Sequence, residues 1–175
     1  MAAKIAFEQP VNWLPGVELP AELVTGHKTI DNEHRLLLSS IASLRKICND
    51  FTSTPDCSNC EEVERNRCEN DLISMLGDLL AFILDHFKTE EAIMRESLLQ
   101  LVDREVCEAH MEDHAAISCK VQEIVAALNP LKTVSLIREL DALLSRWIVN
   151  HIGLHDVMLV RWIEREDSIL RQGSR

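Results

Sequence analysis

Residues 72–94 read LISMLGDLLAFILDHFKTEEAIM, and this stretch decides the fold. Leu72, Met75, Leu76, Leu79, Leu80, Ile83, Phe87 and Met94 recur at steps of three and four, the period of one face of an α-helix. The pattern predicts a helix from about Glu61 to Glu96. His86 and Glu90 stand four positions apart within it, so both project from one face.

The same period recurs on either side. Ile30, His34, Leu37, Leu38, Ile41 and Leu44 predict a helix beginning near Asp31 and fading at Asn49. The polar stretch FTSTPDCSNC that follows reads as a loop. Val106, His110, Ile117, Val121, Ile124 and Leu128 predict a helix over about Leu101–Leu128, stopped by Asn129-Pro130, because proline cannot continue the backbone ladder. A last helix is predicted from near Thr133 to beyond Asp167. Four long amphipathic segments with mostly short connections predict an all-α, antiparallel up-down four-helix bundle. Pro10, Pro15 and Pro20 mark residues 1–25 as a non-helical arm carrying Trp13.

Composition agrees. The chain has 175 residues, 46% hydrophobic, enough for one sizeable core and one domain over 1–175. Only five glycines and five prolines interrupt it, and there is no tyrosine. A net charge of −11 argues against nucleic acid or an anionic membrane surface as partner. Charges interrupt every apolar run that approaches membrane-spanning length, and the N-terminus lacks a signal-peptide pattern. The expected location is the cytoplasm, with the six cysteines mostly reduced.

The chemistry lies in ionisable residues on core-facing stripes. His110 and His114 are four apart, like His86 and Glu90; His151 and Asp156 are five apart, slightly more than one turn, with Gly153 between. His34 lies on the first stripe. A lone histidine on such a face is usually a satisfied core residue, but seven ligand-type residues from four helices change the reading. Burying five imidazoles and two carboxylates uncompensated costs several kcal/mol each. A metal pair removes that cost, and the acids can bridge it. The set is too large for one tetrahedral zinc and suits two six-coordinate ions. These residues alone leave manganese or a mixed pair open.

The segments HKTIDNEHRLLL (27–38), HFKTEEAIM (86–94), HMEDH (110–114) and WIVNHIGLHD (147–156) resemble the bacterial hemerythrin family. The resemblance spans about residues 12–160, and its ordered pattern H…HxxxE…HxxxH…HxxxxD is specific as a whole. It implies two non-haem irons with an oxo or hydroxo bridge. It implies further that His110, His114 and His151 cap one iron, that His34 and His86 hold the other with a position open to dioxygen, and that Glu90 and Asp156 bridge both. Leu37, Trp147, Ile148 and Ile152 would wall a dry dioxygen pocket. Glu91 and Asp31 are candidates for orienting histidines.

Three features depart from the family pattern. His155 adjoins Asp156 where members often carry a basic residue after the aspartate, and it is expected to face away from the pocket. Cys57-Ser58-Asn59-Cys60 and Cys68 fall in the connection at about 50–70. A CxxC invites zinc or redox readings, but no fourth ligand is evident locally, and an inert loop is the expectation. Cys107 and Cys119 read as a small hydrophobe or a surface thiol. Finally, VMLVRWIEREDSIL carries the last helix past the ligands, making about 160–175 a candidate signalling extension.

The resemblance implies an oxygen or redox sensory input domain, joined to a fused or partner output domain such as a diguanylate cyclase, with a homodimer as a further expectation. A free-standing oxygen carrier or store is the alternative. A di-iron peroxidase or nitric-oxide-handling enzyme ranks third, because no acid or base beyond the ligands is evident and the Glu-x-x-His motif of bundle oxygenases is absent here.

Overall fold

The computed structural model describes residues 18–48 and 52–173, and all regular structure among them is helical. Trp13, most of the expected arm and residues 49–51 of the first connection lie outside the described residues. The helices are α1 (Lys28–Leu44), α2 (Glu62–Glu96), α3 (Leu99–Val102), α4 (Arg104–Ala126), α5 (Thr133–His151) and α6 (Val157–Gly173). A π-helical segment, Ile152–Asp156, joins α5 to α6.

Local chemistry sets the ends. His27 caps α1, its Nδ1 accepting from the Ile30 amide at 3.4 Å. Just before it, Gly26 turns the chain with a φ of +90°, a conformation that disfavours residues with a Cβ. The Asp31 carboxylate accepts from the Thr25 amide and hydroxyl at 2.8 Å and from the Gly26 amide at 3.1 Å. Asp31 therefore ties down the helix entry and orients no histidine. α1 stops at Leu44, short of the expected end, because the chain goes into turns at Lys46 and Ile47. The expected third helix is split at Asp103. This residue leaves helical geometry, and its Oδ1 accepts from the Val106 amide at 3.3 Å, starting α4. Ala21–Leu23 forms a 3-10 turn within the expected non-helical arm, and it buries Leu23.

The long helices pack as a ring, each antiparallel to the next. Cys68 meets Ile47 while His86 meets His34 across α1 and α2. Glu90 meets His110 and His114 across α2 and α4, and Asp113 meets Trp147 and His151 across α4 and α5. Arg45 donates to Asp141 at 2.7 Å at one end of the α1–α5 pair, and His34 faces Asp156 at the other. Between them the stripes read from sequence close into one core, in which Leu38, Ile41, Leu72, Ile83, Leu140 and Ile148 are wholly or almost wholly buried. Each such aliphatic side chain contributes about 1.5–3 kcal/mol by leaving water. α6 runs beyond the ring and closes a second cluster of Met94, Leu99, Cys107 and Leu159. Its Glu166 carboxylate accepts from the Leu98 amide at 3.1 Å, capping the start of α3. No helix among the described residues is long and apolar enough to cross a membrane.

Candidate metal centre

The seven residues singled out from sequence converge in the bundle interior, all of them buried. They fall into two groups whose donor atoms lie within 4.8 Å of one another: His110, His114 and His151 with Glu90, and His34 and His86 with Glu90 and Asp156. α2 brings His86 and Glu90, α4 brings His110 and His114, and the α5–α6 junction brings His151 and Asp156.

The two carboxylates divide their oxygens between the groups. Glu90 Oε2 lies 3.2, 3.1 and 3.4 Å from Nε2 of His110, His114 and His151, while Oε1 lies 3.4 Å from His86 Nε2. Asp156 Oδ1 lies 3.2 Å from both His110 and His151, while Oδ2 lies 3.0 Å from His34 Nε2. Each acid thus spans a three-histidine side and a two-histidine side.

The five-residue step to Asp156 has a structural cause. In an α-helix, five residues turn the chain about 140° off the starting face. Here the Val157 amide bonds the Ile152 carbonyl, one residue further back than in an α-helix, and the wider turn carries Asp156 round to the side of His151.

Acids behind the histidines fix which nitrogen faces inward. Glu33 Oε2 lies 2.9 Å from His86 Nδ1, Asp113 Oδ2 lies 2.7 Å from His151 Nδ1, and Glu91 Oε1 lies 3.4 Å from His114 Nδ1. In each case Nε2 is left to the centre. Trp147 Nε1 donates to the same Asp113 oxygen at 2.7 Å and stacks on His151 with ring centres 4.6 Å apart. Phe87 stacks on His114 at 3.7 Å. Glu33 and Asp113 were not picked out from sequence. A usable signal was there: each directly precedes a core-facing histidine (His34, His114) yet serves a histidine on the adjacent helix.

His155 does not face away. It is half-buried, and its ring stacks on His110 with centres 4.9 Å apart. Leu37, Trp147, Ile148 and Ile152 are all buried in the surrounding core.

Titration behaviour follows the packing. Burial and the Asp156 charge both push Glu90 upward, but hydrogen bonds from His110, His114 and His151 outweigh them and hold it well below the ordinary carboxylate range. Asp156 is likewise held low, burial being overcome by His151, His110 and His34. His151 is raised well above its usual value despite burial, by Asp156, Asp113 and Glu90. His114 is lowered, chiefly by burial.

Proximity without hydrogen bonding tests whether these residues suit a metal. Both nitrogens of His34, Nε2 of His86, Oε1 of Glu90 and both oxygens of Asp156 are buried without a hydrogen-bond partner among the described residues. Unpaired buried polar atoms cost about 1–3 kcal/mol each. Five of these six atoms face the centre from two histidines and the two shared acids, which is the arrangement a cation satisfies. The residues fit.

Comparison with known proteins agrees. Residues 25–163 match the family described as Hemerythrin HHE cation binding domain. Among curated proteins, bacteriohemerythrins of Pseudomonas aeruginosa strains LESB58 and UCBPP-PA14 are 25% identical over 135 residues, covering 77% of this chain and 73% of theirs. The bacteriohemerythrin of Pseudomonas paraeruginosa strain PA7 matches to the same extent. No solved structure gives a significant match. With that match over most of its length, and with the seven residues gathered as described, the chain belongs to the hemerythrin family.

Proposed function

We propose that the chain holds two iron ions between its bundle helices, binds dioxygen reversibly there, and reports oxygen or redox state through α6. The observation that carries this reading is the division of Glu90 and Asp156 oxygens between the two histidine groups. One ion needs no such sharing; a bridged pair does. Five imidazoles with two carboxylates also exceed what a four-coordinate zinc takes.

In this reading His110, His114 and His151 would hold one iron, His34 and His86 would hold the other, and Glu90 and Asp156 would serve both. When bound, the pair supplies the electrons for reversible dioxygen binding without haem. The chain's own residues do the rest. Glu33, Glu91 and Asp113 hold imidazole rings in the ligating tautomer. Leu37, Trp147, Ile148 and Ile152 exclude water, which limits proton-assisted oxidation of the irons. The sensory part is supported by the position of Asp156, immediately before Val157, where α6 begins. A change in how that carboxylate is held acts directly on the base of a helix packed against α3 and the start of α4.

The test is reconstitution of metal-free protein with ferrous iron under argon, then exposure to air. Two irons per chain and reversible visible charge-transfer absorption are expected. His86→Ala should lose about half the iron and all of the reversible absorption. One zinc per chain with no iron uptake, or a His86→Ala protein with full iron and full reversible absorption, would sink the assignment.

A further inference from the structure

We propose that the α1–α2 connection carries a second metal site, in which Cys48, Cys57, Cys60 and Cys68 bind one thiophilic cation of the zinc type. The sequence shows a CxxC with one nearby cysteine and no evident fourth ligand; the fold supplies it. Cys48 lies in the turn after α1, Cys57 and Cys60 in the connection, and Cys68 in the second turn of α2, and all four line one cavity of about 130 Å³. No disulfide joins them.

The local geometry suits thiolate ligands. The Cys60 amide donates to the Cys57 carbonyl at 3.2 Å, so the CxxC forms a tight turn with both side chains at the cavity. Cys57 is buried, and its sulfur accepts from the Val134 amide at 3.5 Å, at the start of α5. Cys68 donates to the Ile47 carbonyl at 3.4 Å, drawing α2 to the end of α1. Arg65 and Arg67 line the cavity with Glu64, leaving one net positive charge there to offset part of the double negative charge of four thiolates around a divalent ion. Burial, and then Cys57, Glu64, Cys48 and Cys68, hold the Cys60 thiol above its ordinary range, a cost that a cation bound among them would offset. The groups with donor atoms inside 4.8 Å of one another are made of histidines and carboxylates, so the sulfurs line the walls rather than meet. The proposed site requires the side chains to rotate inward until the sulfurs lie about 2.3 Å from the ion. Each ligating thiol gives up its proton; no oxidant takes part. The site would pin the connection to α1, α2 and the start of α5.

The test uses reduced, iron-loaded full-length chain, incubated with zinc, desalted and analysed for both metals. One zinc per chain is expected beyond the iron. Cys60→Ser and Cys68→Ser should lose that zinc while keeping their iron, and Cys119→Ser, at an exposed cysteine, should keep both. Cobalt in place of zinc should give intense sulfur-to-metal absorption in the wild type and in Cys119→Ser, and none in Cys60→Ser or Cys68→Ser. Zinc should also protect four thiols from a thiol reagent, a readout independent of the variants' folding. Equal zinc in wild type and both serine variants would overturn the site. So would full reactivity of those thiols with zinc present, or a Cys57–Cys60 disulfide in a chain that takes up no zinc when reduced. Iron content is read separately, so failure here leaves the bundle centre standing.

Discussion

Asp113 is one carboxylate with two duties: it receives the His151 Nδ1 proton and the Trp147 indole N–H on the same oxygen, each at 2.7 Å. An amide oxygen in its place can still accept both hydrogen bonds but lacks the charge that favours His151 as a ligand. Asp113→Asn is therefore expected to weaken metal affinity about 10–100-fold, the usual effect of removing such a partner. Competition against a chelator measures it, and unchanged affinity would deny Asp113 its positioning role. The placement of the seven core residues was legible because helical spacing brings them to inward faces whatever the loops do. Glu33 and Asp113 were not, because their partners lie across a helix interface and spacing along one helix carries no information about which neighbour it meets. Asp31 misled for the same reason: an acid near a histidine can serve the backbone instead, and here it holds Thr25 and Gly26.

Among the elements, α2 was the most legible, its observed span Glu62–Glu96 lying within one residue of the expected start. The break at Asp103 was missed because apolar period continues across it, while the capping carboxylate that stops it interrupts no stripe. The π-helical segment showed in sequence only as an odd interval, since nothing in its composition separates it from an α-turn. In the proposed sensory reading, the α5–α6 junction is where a change at the centre would move a helix. Hydrogen exchange is expected to differ between ferrous and ferric protein at amides of α6, Val157 onward, as well as around His151. Identical α6 protection in the two states would remove the sensory reading and favour oxygen carriage or storage.

For the whole molecule, the expectation concerns metal-free protein across pH. Glu90 and Asp156 have depressed values, so their contribution is present above the ordinary values of 4.5 and 3.8 and is lost as pH falls. His151 and His110 are raised, so theirs is full below 6.5 and is lost as pH climbs through the folded values. His114, lowered by burial, opposes this pair. Metal-free protein should be most stable between about pH 4.5 and 6.5, as thermal unfolding at a series of pH values will show. A steady rise through pH 8 would contradict the imidazolium–carboxylate network. Bundle topology and inward-facing residues were readable at this scale. The placement of Cys48, Cys57, Cys60 and Cys68 around one cavity was not, because they come from separate elements and spacing along the chain does not say which of these approach one another.

The π-helical segment also selects between two donors. Continued as an α-helix from His151, the chain would put position 155, about 40° round, on the inward face and leave position 156 about 140° away. Position 155 is itself a histidine, already stacked on His110 and grouped with Asp113 and His151. One additional residue in the turn therefore decides whether the final helix offers imidazole or carboxylate to the interior. The choice fixes charge as well as shape: with Asp156 inward, the interior offers two carboxylates to the proposed cation pair, and with His155 inward it would offer one.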